Sequence, residues 1–225
     1  NGFLHSHAKN IYNEYLDKKS GSFKWLNPTL FTTELRDHLL DDVENLMSVL
    51  SICGKWNETL DNKLKALIQL LKTKHTNNKF LIFTQYADTA RYLANALSRI
   101  GMDKLEVVTG GSKNPTQLVW RFSPKSNDKE KFTSNEGEIN ILITTDILSE
   151  GQNLQDCSNI INFDLPWAII RLIQRAGRVD RIGQQAENIF CYSFLPADGI
   201  EKIIRLRSRV KNRLLDNREV VGSDE

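Results

Sequence analysis

The stretch Gln174-Arg175-Ala176-Gly177-Arg178-Val179-Asp180-Arg181-Ile182-Gly183-Gln184 sets three arginines three residues apart. On a helix or its end, residues at that spacing fall near one face, and each guanidinium offers a planar fork of donors that matches phosphate oxygens. A solvated basic face would also carry such a row, but it does not account for Gly177 or for the two flanking glutamines. A second stretch, Ile141 to Leu154, is an apolar run that stops in Thr144, Thr145 and Asp146 and reaches a glycine at Gly151. Hydroxyls and backbone N–H groups at a strand end can hold phosphates, while Asp146 could accept from a sugar hydroxyl or orient an arginine. An ordinary strand, turn and helix cap reads the same residues without any ligand. The third stretch, Phe80 to Tyr86, delivers Thr84 and Gln85 to the end of another apolar run, where a helix cap at Thr84 is the plain alternative.

Something must hold these three stretches together. From Lys79 onward, short apolar runs (Phe80–Phe83, Leu105–Val108, Ile141–Ile143, Ile160–Phe163, Ile189–Tyr192) alternate with helical stretches, expected over 88–100 and about 167–182. Continuous apolar runs separated by helices are what strands buried on both faces of a parallel sheet look like. The expectation is a doubly wound, mainly parallel α/β domain over 61–196, with Asp61 as N-cap of its first helix. In such a sheet ligands sit beyond the carboxyl ends of the strands, where all three stretches end. Residues 1–60 read as a helical extension, including an amphipathic helix with Leu35, Leu39, Val43, Leu46 and Leu50 at helical spacing, capped by Thr32 or Thr33. Residues 197–225 read as a basic helix, about 200–215, and a tail; that helix either braces the domain or touches nucleic acid.

Composition narrows the classes. Hydrophobic residues at 40% and charged residues at 26% of 225 are ordinary for a globular protein, and no apolar run approaches the length of a membrane span. A net charge of +2 is too small to argue for a nucleic-acid partner by itself. Cys53, Cys157 and Cys191 form no C-x-x-C pair and the histidines no paired metal spacing beyond His5 and His7 near the N-terminus, so no disulfide framework or metal site is expected and a cytoplasmic location fits. There is no phosphate-cradling G-x-x-x-x-G-K-[ST] motif: Gly54-Lys55 runs on to Trp56. Asp41-Asp42-Val43-Glu44 mimics a metal-binding acidic box but falls within the amphipathic helix.

In order and separation, the three stretches resemble motifs IV, V and VI of the second RecA-like lobe of superfamily 2 helicases and translocases. The Arg-Ile-Gly-Gln ending at Gln184, Ser149-Glu150-Gly151-Gln152-Asn153-Leu154 and Phe163-Asp164-Leu165-Pro166-Trp167 look like the Swi2/Snf2 group, with closest likeness to bacterial and archaeal members of the RapA type. The resemblance implies that Arg178 and Arg181 are arginine fingers for ATP, whose Mg²⁺ and phosphates are held mainly by an N-terminal lobe. It implies that Asp146, Gly151 and Gln174 lie near the nucleotide. It also implies that Thr84, Gln85, Thr109, Gly110, Thr144 and Thr145 touch the backbone of a nucleic acid, double-stranded DNA by likeness, in a prokaryotic nucleoid. Where relatives commonly read Leu-Pro-Trp-Asn-Pro, Ala168 and Ile169 follow Trp167 here, a departure at the start of the expected helix. Such a chain is half a motor, expected to be inactive alone. The competing readings are a binding module that keeps the fold without the motor and, against the missing phosphate loop, a self-sufficient nucleotide enzyme.

Overall fold

The computed structural model describes residues 2–18, 26–54, 56–73, 78–131, 133, 137–149, 152–166, 168 and 170–195. The expected helix over 200–215 and Gly151 lie outside them. The chain divides into two compact units, Asn1–Asn57 and Glu58–Glu225.

The first unit is helical, with α1 (Gly2–Lys18) and α2 (Thr33–Cys53). Thr32 occupies the N-cap position of α2 but makes no side-chain capping bond, and Gly54 ends the helix at φ +66, a left-handed conformation that costs glycine little. The apolar stripe of α2 is real but uncovered: Leu35, Leu39, Val43, Leu46 and Leu50 are all exposed.

The second unit is built on a five-stranded, wholly parallel sheet of β1 (Phe80–Phe83), β2 (Leu105–Val108), β3 (Ile141–Thr144), β4 (Asn159–Asn162) and β5 (Phe190–Ser193), in the order β2-β3-β1-β4-β5. Alternation along the strands splits the core in two. Phe80, Ile82, Ile141, Ile143 and Ile161 point to one face, where they pack with α3 (Asn62–Thr73) and α4 (Ala87–Arg99) through Leu64, Leu67, Leu71, Leu93 and Leu97. Leu81, Phe83, Leu142 and Ile160 point to the other, against Val119 and Phe122 of α5 (Pro115–Phe122) and against Leu148, Leu154 and Val179. Two apolar faces per strand explain the unbroken apolar runs in β1 and β3, all of whose residues are buried. Asp61 caps α3 as expected: its Oδ1 accepts from the N–H groups of Lys63 and Leu64 at 2.9 and 3.0 Å.

Two expectations need correction. β5 lies at the edge of the sheet and is largely exposed, with Phe190 at 41%, so it is not a strand buried on both faces. The helix expected to run to Ile182 is much shorter: α6 spans Ile170–Ala176 and gives way to turns at Gly177. The three arginines therefore do not share one face.

Candidate functional site

In-register pairing of Phe83 and Val108 with Thr144 makes Thr84, Thr109 and Thr145 the first residues beyond the ladder on three neighbouring strands. They open the carboxyl edge of the sheet, to which β4 adds Phe163 and Asp164. α6 follows β4 and carries Arg171 and Arg175; Arg178 and Arg181 sit in the turns beyond it.

Arg175 points inward and is 1% exposed. Its Nε donates to Asp146 Oδ1 at 2.7 Å and its Nη1 to Asn162 Oδ1 at 2.9 Å, while its guanidinium carbon stands 4.9 Å from the centre of the Phe83 ring. Nη2 also lies 2.7 Å from Asp146 Oδ1 but aims no N–H at it. Asp146 gives its second oxygen to Arg171 Nη1 at 3.1 Å. Asp146 thus orients two arginines, each of its oxygens accepting from one of them. The arrangement ties the end of β3 to α6.

A second cluster joins β1 to β4. Asp164 Oδ2 accepts from the Thr84 hydroxyl and, at 3.3 Å, from the Gln85 N–H; Oδ1 accepts from Lys63 Nζ at 2.9 Å. Lys63 Nζ also stands 4.0 Å from the centre of the Phe163 ring. Burial alone would raise the pKa of Asp164, but the Thr84 hydroxyl, Lys63 and the Gln85 N–H outweigh it and hold the carboxyl below its ordinary value.

The residues expected to touch nucleic acid therefore divide. Thr84 and Thr144 are fully buried and Thr109 is 5% exposed. The Thr84 hydroxyl serves Asp164 and that of Thr144 bonds the Thr145 carbonyl at 2.8 Å, so the structure does not bring these side chains to a surface. The expected helix cap at Thr84 is also absent, since α4 starts after Tyr86. Gly110 is exposed, and Gln85 and Thr145 are half-buried. Gln174 is exposed.

The remaining arginines differ in kind from the first two. Among the described residues, neither Arg178 nor Arg181 is paired with a carboxylate. Arg178 is half-buried with its Nε unsatisfied; Arg181 is exposed and donates to Asn153 Oδ1 at 2.9 Å. Val179, fully buried between them, anchors the turn, and Gln184 Nε2 ties it down by donating to the carbonyls of Val179 and Cys157 at 3.0 and 3.1 Å. Arg171 and Arg175 share the single carboxylate of Asp146, and Arg178 and Arg181 have no carboxylate partner among the described residues, so the segment keeps a net positive charge suited to an anion with several oxygens. Among the described residues no group of three or more His, Cys, Asp or Glu side chains could hold a metal ion. Sequence reasoning missed Asn162, Asp164 and the inward course of Arg175; the Asp next to the apolar end of β4 was the one visible signal.

The profile of the helicase conserved C-terminal domain matches residues 62–183, and the chain belongs to that family. It is 34% identical over 161 residues to the uncharacterized ATP-dependent helicase YqhH of Bacillus subtilis (strain 168), covering 72% of this chain and 26% of that protein. It is 28% identical over 146 residues to DEAD-box ATP-dependent RNA helicase 1 of Arabidopsis thaliana, covering 64% and 25%. The chain thus spans about a quarter of the length of these curated relatives. Among solved structures, the C-terminal part of the Fun30 ATPase domain shares its fold, with a TM-score of 0.54 at 24% identity over 87% of this chain and 62% of that one. The parallel sheet with its flanking helices is the RecA-like fold of helicase C-terminal lobes.

Proposed function

We propose that this chain is the C-terminal lobe of a Swi2/Snf2-like, nucleic-acid-dependent ATPase, in which Arg178 and Arg181 complete a site for ATP held mainly by an N-terminal RecA-like lobe. The observation that carries this reading is the contrast within one segment: Arg171 and Arg175 are both paired with Asp146, whereas Arg178 and Arg181 have no carboxylate partner among the described residues. An arginine without a carboxylate partner beside a buried, unsatisfied Nε fits phosphate oxygens. ATP supplies the phosphoryl group, and with it the negative charge that such donors stabilise as it develops on the transferred group. By likeness to the family, the Mg²⁺ that accompanies ATP would be held mainly by the other lobe. Arg175, Asp146 and Asn162 act as the rigid floor beneath the fingers.

Beside the fingers, Gln85, Gly110 and Thr145 form the accessible part of the strand-end row, suited to backbone phosphates of a nucleic acid and blind to its sequence. Thr84, Thr109 and Thr144 support that row from within. Double-stranded DNA is the preferred track by likeness to the Swi2/Snf2 group. Opening and closing of the two lobes would couple hydrolysis to movement along the track.

The test is ATP hydrolysis by the full-length protein with double-stranded DNA, single-stranded DNA or RNA, comparing wild type with Arg178→Ala and Arg181→Ala. The expected result is a DNA-stimulated rate that falls about 10³-fold or more in the variants. Stimulated hydrolysis that survives both substitutions overturns the finger assignment. A wild type that no nucleic acid stimulates overturns the motor and leaves a binding module.

A further inference from the structure

Arg181 lies in irregular backbone beyond the end of α6, on the surface, where a long flexible side chain would sample many rotamers. Stabilising charge in a transition state requires donors already in place. The structure assigns this task to Asn153: we propose that it is the positioning residue for Arg181, and that the polar segment 123–127 sets Asn153 in turn. The proposal rests on the reading of Arg181 as a finger.

The hydrogen bonds run in one direction. A guanidinium can only donate, so the amide must offer it oxygen, and Asn153 Oδ1 accepts from Arg181 Nη1 at 2.9 Å. The other end of the same amide is spoken for, since Nδ2 donates to the Ser126 carbonyl at 3.3 Å, which fixes the way the amide faces. The backbone carbonyl of Asn153 accepts from Asn127 Nδ2 at 2.8 Å, and that nitrogen also donates to the Ser123 carbonyl at 2.6 Å. Three residues further on, the Asp156 carboxylate accepts from the N–H groups of Lys125 and Ser126 at 2.7 and 2.9 Å, and Asp156 N–H donates to Ser123 Oγ at 3.1 Å. Segments 123–127 and 153–156 are therefore one hydrogen-bonded unit.

That unit grips the finger at two points. Asn153 holds the side chain, while Gln155 Nε2 donates to the carbonyl of Ile182 at 2.6 Å and holds the backbone beside it. Gly183 then turns the chain at φ +100. Only one guanidinium N–H is given to Asn153, which leaves the rest of the fork for phosphate. Segment 123–127 has no place among the motifs of the site, and this network gives it one.

The experiment measures kcat and KM for ATP in the full-length, nucleic-acid-stimulated enzyme. Asn153→Ala is expected to lower kcat about 10-fold, the low end of what a hydrogen bond to a charged group is worth, with KM changed less than about twofold because binding is left largely intact. Asn127→Ala is expected to lower kcat several-fold in the same manner. Both losses should vanish in an Arg181→Ala background, because a residue that acts through Arg181 has nothing left to position. A loss that persists in that background, or an Asn153→Ala enzyme with unchanged kcat, overturns the proposal. If Arg181→Ala is itself harmless, the finger reading has failed instead.

Discussion

Replacing Arg175 by Met removes a charge from the interior while keeping most of the volume. Arg175 is 1% exposed and holds Asp146 and Asn162 at 2.7 and 2.9 Å. Without it, Asp146 keeps only Arg171, a side chain 54% exposed and hence a surface partner worth at most about 1 kcal/mol. Asn162 Oδ1, on a side chain with no exposure, loses a donor at a cost of about 1–3 kcal/mol. Removing one member of a buried pair costs about 3–5 kcal/mol in general. Because Asp146 is 25% exposed and retains one partner, the low end applies, about 3 kcal/mol. At roughly 2–4 °C per kcal/mol for a unit of this size, the unfolding midpoint should fall by about 6–12 °C. Asp146→Ala strands the charge of Arg175 in the core and should cost more, about 4–5 kcal/mol. The double substitution should cost less than the sum by at least about 1 kcal/mol. Urea and thermal unfolding followed by circular dichroism at pH 7 read all three. A loss under about 1 kcal/mol for Arg175→Met would refute the reasoning, because it would mean that water already solvates the pair.

The Asp164 cluster makes a pH prediction. Its carboxyl is held below the ordinary value of 3.8, so its contribution is complete above about pH 4 and is lost as pH falls through the depressed value. The gap in urea midpoint between wild type and Asp164→Asn should be flat from pH 7 to about 4 and narrow below that; a gap that stays constant to pH 3 contradicts the assignment. A third prediction concerns thiols. Burial pushes Cys157 up to about 12, whereas Cys53 is exposed. Iodoacetamide at pH 8 should label Cys53 in the native protein and reach Cys157 only on unfolding, as read by peptide mass spectrometry; equal rates at the two sites would show that Cys157 is not in the core.

Much of the architecture was legible because it follows from local rules. Unbroken apolar runs meant strands with two covered faces, and Asp61 before a helical pattern meant a cap; both hold in β1, β3 and α3. The strand-end row of Thr84, Thr109 and Thr145 was legible for the same reason. The inward turn of Arg175 was not, because three-residue spacing assumes a helix that continues, and the helix stops at Ala176. Whether a strand-end hydroxyl faces out or in depends on a partner far along the chain: Thr84 is taken by Asp164, and nothing near Thr84 in sequence announces it. β5 has the apolar content of its neighbours, and nothing in its own residues announces that it ends up exposed at an edge of the sheet.

The strand order also sets a timetable for folding. β1 is the central strand, yet it is made first: Phe80 pairs with Ile141 on one side and Asn159 on the other, and no strand pairs through a hairpin. Closing such long loops is slow, because chain entropy is lost before the contacts repay it. During synthesis the Phe80–Phe83 run meets its first strand partner only when β3 has been delivered, and its second only with β4. Conditions that slow translation between residues 84 and 159 should therefore lengthen the exposure of the most apolar strand in the sheet and, with it, the time during which the nascent chain can aggregate.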